Sequence, residues 1–135
     1  MSLLPKQARL PTNDRQPGVL ALLGNPTPME PLLAHLRQLG MQVDVVTDLA
    51  DARCRFFGAG GHDCLVIAPD VKPGVASQVA RSLRSVDPEL PMATFGPELG
   101  GPSRRAHEAV LAGFHPSSRA GTGALVRFLR SMRRR

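Results

Sequence analysis

The position in this chain best placed to carry chemistry is the end of the run His62-Asp63-Cys64-Leu65-Val66-Ile67-Ala68-Pro69-Asp70. The apolar part reads as a buried strand, and the carboxyl ends of such strands are where open α/β sheets put their ligands. Ala68 stands where the strand ends, and Asp70 follows two residues on. A carboxylate there could act as a nucleophile or help hold a metal ion. A metal needs partner acids, however, and the earlier apolar run ends in Leu23-Gly24-Asn25-Pro26, with no acid. Backbone amides after Gly24 could receive a small anion at the start of the next helix, although Pro26 and Pro28 remove donors.

The other groups are less organised. Gly58-Ala59-Gly60-Gly61 lies after a helix and before a strand, the wrong order for a dinucleotide fingerprint or a P-loop, and reads as a helix stop with a turn. His35, His62, His107 and His115 are scattered without metal-ligand spacing, so surface or strand-edge roles are expected for them. Ser103, Ser117 and Ser118 lack the strand-turn-helix context of a nucleophile. Arg127, Arg130, Arg133, Arg134 and Arg135 form the one charge cluster. It reads either as a solvated helix end, where cations also suit the helix dipole, or as a surface for an anionic partner. No DNA-reading helix pair is visible, so sequence-specific DNA binding is not expected.

Composition sets the frame. A chain of 135 residues with 42% hydrophobic content suits one domain around one core. Five Phe and no Trp or Tyr leave that core aliphatic and offer no stacking platform for nucleic acid. The formal charge of +6 favours anionic partners without naming one. Cys54 and Cys64 read as reduced core thiols. No run is long enough for a membrane span, and residues 1–17 lack the apolar stretch of a signal peptide, so a soluble cytoplasmic protein is expected.

Residues 1–17 carry Pro5, Pro11 and Pro17 without periodicity and read as a flexible leader ahead of a domain over 18–135. Strands are expected at 18–23, 42–47, 62–67, 92–95 and, briefly, within 114–118. Helices are expected at 29–39, 49–57, 75–86 and 104–111, with a last one on the stripe Leu125, Val126, Leu129 and Met132. Asp48 is placed to cap the second helix. Strand and helix alternate throughout, which means a parallel sheet covered on both faces. The expected fold is flavodoxin-like and doubly wound, with five strands in the order 2-1-3-4-5.

Three stretches resemble the receiver domains of bacterial response regulators. His62-Asp63-Cys64-Leu65-Val66-Ile67 is similar to the family's third strand. Arg84-Ser85-Val86-Asp87-Pro88-Glu89-Leu90-Pro91-Met92 is similar to the segment leading into its fourth strand. The order of elements over 18–132 fits the whole domain. The resemblance implies a pocket of two acids after strand one, a phospho-accepting Asp after strand three, Thr or Ser after strand four and Lys after strand five. Here the acid pair falls on Leu23 and Gly24, or on Gly24 and Asn25, and the acceptor falls on Ala68. The hydroxyl position falls on Gly96, and the Lys position near Ser118 or Arg119. A methyl group cannot accept a phosphoryl group, and Leu or Gly side chains cannot bind Mg²⁺. Asp70 is the one carboxylate near enough to be a substitute acceptor.

The expectation is therefore a non-phosphorylatable pseudo-receiver without a cofactor, which acts by binding a protein, a second copy of itself included. The resemblance places the partner face on Arg104, Arg105, Glu108, His115, Arg119, Arg127 and Arg130. The alternative is a domain that binds a small anion or nucleotide through Gly24, Asn25, Pro69, Asp70 and the loop 96–101.

Overall fold

The computed structural model describes residues 17–25, 27–95, 108–111, 115–116 and 118–131. Five parallel strands form one sheet in the order β2-β1-β3-β4-β5. They are β1 (Gly18–Leu22), β2 (Gln42–Val46), β3 (Cys64–Ile67), β4 (Met92–Thr94) and β5 (Glu108–Val110). The helices are α1 (Glu30–Gln38), preceded by a 3-10 turn over Thr27–Met29, then α2 (Leu49–Gly58), α3 (Pro73–Arg84) and α4 (Arg119–Ser131). The flavodoxin-like topology read from the alternation is thus the observed one.

β1 and β3 form the middle of the sheet because their sequences leave no face for water. Val19, Leu20, Ala21 and Leu22 are buried, as are Cys64, Leu65, Val66 and Ile67. The two strands run in register from Val19 opposite Cys64 to Leu22 opposite Ile67. That register is pinned at its start by side chain and backbone together. Gly18 N–H donates to Asp63 Oδ2 at 2.7 Å, and Asp63 N–H donates to the Gly18 carbonyl at 2.7 Å. Each fully buried aliphatic side chain contributes about 1.5–3 kcal/mol, so this pair of strands anchors the core.

The helices close over the sheet with narrow apolar stripes. α2 buries Ala52 and Phe56, four residues apart. α3 buries Ala76, Val79, Ala80 and Leu83 and packs beside α2. The chain turns back toward β2 after β1 but moves forward after β2 and β3. Right-handed crossovers therefore put α1 on the face opposite α2 and α3. Asp48 caps α2 as its position suggested, accepting from Asp51 N–H at 2.7 Å. The Gly58–Gly61 segment is a helix stop. Gly60 and Gly61 hold φ of +76° and +103°, and Gly61 N–H returns to the Phe56 carbonyl.

Several expectations need correction. The fifth strand is Glu108–Val110, inside the segment read as a helix, and not 114–118. Three residues of intermediate burial at a sheet edge carry almost no period, and pairing with β4 decides their conformation. α3 begins at Pro73, which is preset for a first helical position, and ends at Arg84. Val86 therefore leaves the stripe and is 59% exposed. Cys54 is exposed on α2, off the line of Ala52 and Phe56, while Cys64 is buried as expected. His62 lies at the strand end, two residues ahead of β3, and is buried there, not at the surface. Its ring stacks on Phe56 at 5.8 Å and its Nε2–H donates to Asp44 Oδ2 at 2.9 Å. Arg55 stands beside the same carboxylate at 3.7 Å. Residues 1–16, the hydroxyl position Gly96, the loop 96–101, residues 104–107 and Met132 lie outside the described residues. Among the described residues no helix is long and apolar enough to cross a membrane.

Ile67 tests the sheet assignment directly, because it is 1% exposed and lies between Leu22 and Thr94 in register. Ile67→Asp places an unpaired carboxylate there at a cost on the order of 4 kcal/mol. The variant should fail to fold in soluble form, whereas Ile67→Val should lose about 1 kcal/mol in a urea melt. A melt of the Asp variant that overlays the parent would contradict the placement of β3.

Candidate functional site

The carboxyl edge of β1 and β3 brings together six of the residues singled out in the sequence: Leu23, Gly24, Asn25, Ala68, Pro69 and Asp70. β1 is followed by Leu23, which is fully buried and donates its N–H to the Val46 carbonyl at 2.9 Å. Its side chain is part of the core, so it presents nothing to a ligand. β3 is followed by Ala68, 1% exposed, whose N–H donates to the Leu22 carbonyl at 3.0 Å. The methyl group is therefore sealed into the sheet end as well as unreactive. Pro69 and Asp70 make the turn that follows, closed by Val71 N–H to the Ala68 carbonyl.

Asp70 crosses from this turn to the loop after β1. Gly24 N–H donates to its Oδ1 at 3.0 Å, and Asn25 N–H donates to its Oδ2 at 2.7 Å. Each carboxylate oxygen thus accepts from one of two successive backbone amides. Hydrogen bonds to an ionised acceptor are stronger than neutral ones, at about 1.5–3 kcal/mol each before solvent competition. The site is exposed, so the lower end of that range applies.

This arrangement requires glycine at position 24. A Cβ built there would stand 2.9 Å from Asp70 Cγ, 2.9 Å from Asp70 Oδ2 and 2.9 Å from the Asp70 carbonyl oxygen. One of those contacts is with backbone, so a side chain rotation alone cannot clear it. The sequence marks Gly24 only as a turn residue; its close approach to Asp70 involves a partner 46 positions away. Thr94, the last residue of β4, is buried two positions before Gly96.

The basic face is only partly as the sequence suggested. Arg104 and Arg105 lie outside the described residues. Glu108 is turned inward from that face. Its Oε2 meets Arg84 Nη1 at 2.7 Å, with the two side chains 22% and 11% exposed. The same guanidinium donates from Nε and Nη2 to the Leu90 carbonyl at 3.2 and 2.9 Å. Arg84 thereby ties the end of α3 to the approach to β4 and to β5. His115 is exposed, and its carbonyl accepts from Ser118 N–H and Ser118 Oγ–H. Ser118 Oγ in turn accepts from Gly121 N–H at 2.9 Å, which makes Ser118 the cap of α4. Arg119 opens that helix and does not follow the fifth strand, because β5 ends at Val110.

Arg119, Arg127 and Arg130 are exposed on α4 and take part in no ion pair among the described residues. They fall on the side away from Leu125 and Leu129, which are buried. From residue 109 onward the sequence contains no Asp or Glu. The last helix is therefore uniformly basic, an absence that composition over the whole chain conceals. No group of His, Cys, Asp and Glu able to hold a metal occurs among the described residues.

The sheet order and this edge define the fold as that of response-regulator receiver domains. Solved structures agree over most of the chain. A receiver protein from Sinorhizobium medicae WSM419 superposes with a TM-score of 0.66 at 18% identity, covering 89% of this chain and 96% of that one. A two-component response regulator from Clostridium difficile gives 0.64 at 14% identity, over 89% and 98%. A chemotaxis response regulator of Vibrio cholerae gives 0.62 at 12% identity, over 85% and 99%. No family model matches the chain, and no curated protein matches it by sequence.

Two substitutions probe these links. Gly24→Ala should lower stability by about 1–2 kcal/mol, because the new methyl group collides with Asp70. A thermal melt equal to the parent's would deny the close approach. Arg84→Met should cost about 2–3 kcal/mol by stranding the Glu108 carboxylate and the Leu90 carbonyl, and adding Glu108→Leu should recover the part due to the carboxylate. A double variant as unstable as the single one would show that the pair is not the source.

Proposed function

We propose that this domain is a pseudo-receiver: a signalling module that is not switched by phosphorylation and works by binding another protein. The observation that carries this reading is the end of β3. The residue in the acceptor position is a buried Ala68, and the neighbouring carboxylate of Asp70 has both oxygens engaged by backbone amides. A nucleophile needs a free lone pair aimed at the incoming phosphorus and a cation to offset its charge. Leu23, Gly24 and Asn25 bring no carboxylate for that cation. The solved neighbours are named as response regulators and as a chemotaxis regulator, which supports a signalling context for this fold. A bacterial cytoplasm is the compartment that context implies.

The binding surface on this reading is α4, with Arg119, Arg127 and Arg130, and its partner is a protein with an acidic face. Unpaired arginines suit such a contact, since guanidinium groups bind carboxylates two-pronged and give up hydration readily. The second reading, a small-anion or nucleotide site at the strand ends, is disfavoured by Asp70. A carboxylate already on the Gly24 and Asn25 amides repels and displaces an incoming anion.

Incubation with Mg²⁺ and acetyl phosphate, followed by intact mass measurement, should give no phosphate adduct. An adduct that disappears in Asp70→Asn would refute the reading. Charge reversal at Arg127 and Arg130 should leave the melting temperature within about 2 °C of the parent, as exposed substitutions do. It should also weaken partner capture at least tenfold, or about 1.4 kcal/mol. Undiminished capture would move the surface elsewhere.

A further inference from the structure

The contact between Asp70 and the loop after β1 has the geometry of a ligand in its site, yet the ligand belongs to the chain. Two successive amides converge on one carboxylate at 3.0 and 2.7 Å. Position 24 carries no side chain to stand between them. We propose that Asp70 is an intramolecular latch. Its carboxylate occupies the Gly24 and Asn25 amides in place of any external anion, and it ties the loop after β1 to the turn after β3.

Three features support a fixed link over an incidental contact. Asp70 sits two residues beyond Ala68, whose own amide is bonded to Leu22, so the turn starts from a fixed point. Leu23, just before the amides, is bonded to Val46 and wholly buried, so the loop also leaves a fixed point. Both halves of the latch are therefore carried on the two central strands. Finally, Gly24 packs so closely on Asp70 that a Cβ there would meet both its carboxylate and its carbonyl oxygen. The contact is one that the backbone, and not only a side-chain rotamer, is shaped to make.

The consequence is that the strand-end edge has one loop arrangement with no bound ligand needed to hold it. That the domain signals in a single state follows only if the pseudo-receiver reading is right. The latch itself rests on the distances alone, and the acetyl phosphate experiment judges the other point separately.

Amide hydrogen exchange followed by NMR on the full chain tests the latch. In Asp70→Ala, exchange at Gly24 and Asn25 should accelerate about tenfold relative to the parent, while Leu65 and Phe95, bonded within the sheet, keep their rates. Asp70→Asn, with one acceptor oxygen, should fall between. Asp70 is exposed, so both variants should fold. Titration of the parent with inorganic phosphate should leave the two amide resonances in place. Unchanged exchange in Asp70→Ala would overturn the latch, and so would a saturable phosphate shift at Gly24 and Asn25 in the parent.

Discussion

The structure depends on β3 being buried on both faces. Cys64, Leu65, Val66 and Ile67 are all buried, so strands must pair on either side and helices must cover both faces. From that constraint follow the parallel sheet, the crossovers and the position of the strand ends. At the edge where β1 and β3 stop, backbone polar groups leave the ladder. Whatever stands there decides whether the fold does chemistry.

In this chain that edge satisfies itself. Ala68 continues the apolar core one residue past the strand, and Leu23 does the same after β1. The amides that emerge next, Gly24 and Asn25, are met by Asp70. A carboxylate on two amides is a stable arrangement and a poor nucleophile, because the same lone pairs serve both purposes. The surface proposed for recognition lies elsewhere, on α4, where arginines stand without acids along the final stretch of sequence.

Much of this was legible in the sequence, for physical reasons. Short apolar runs between turn residues gave β1 and β3 because full burial removes the need for alternation. Asp48 and the glycines after α2 gave helix limits because caps act over three or four residues. What was hidden depends on distance along the chain or on weak local preference. β5 is three half-buried residues including a glutamate, and its conformation is imposed by β4. Arg84 finds Glu108 across 24 positions, and Asp70 finds Gly24 across 46. No local pattern announces such pairs; only the assembled sheet brings them within reach. The burial of His62 at the start of β3 was hidden for a similar cause, since its partners Asp44 and Phe56 come from β2 and α2.

The central claim is that the strand-end edge no longer holds a metal and is filled by the chain itself. The most direct measurement is a Mg²⁺ titration of the parent protein at constant ionic strength, followed through the backbone amide resonances of Gly24, Asn25 and Asp70. The account predicts no saturable movement of those three signals. Saturable shifts confined to them would show that the edge still binds a divalent cation, and would contradict it.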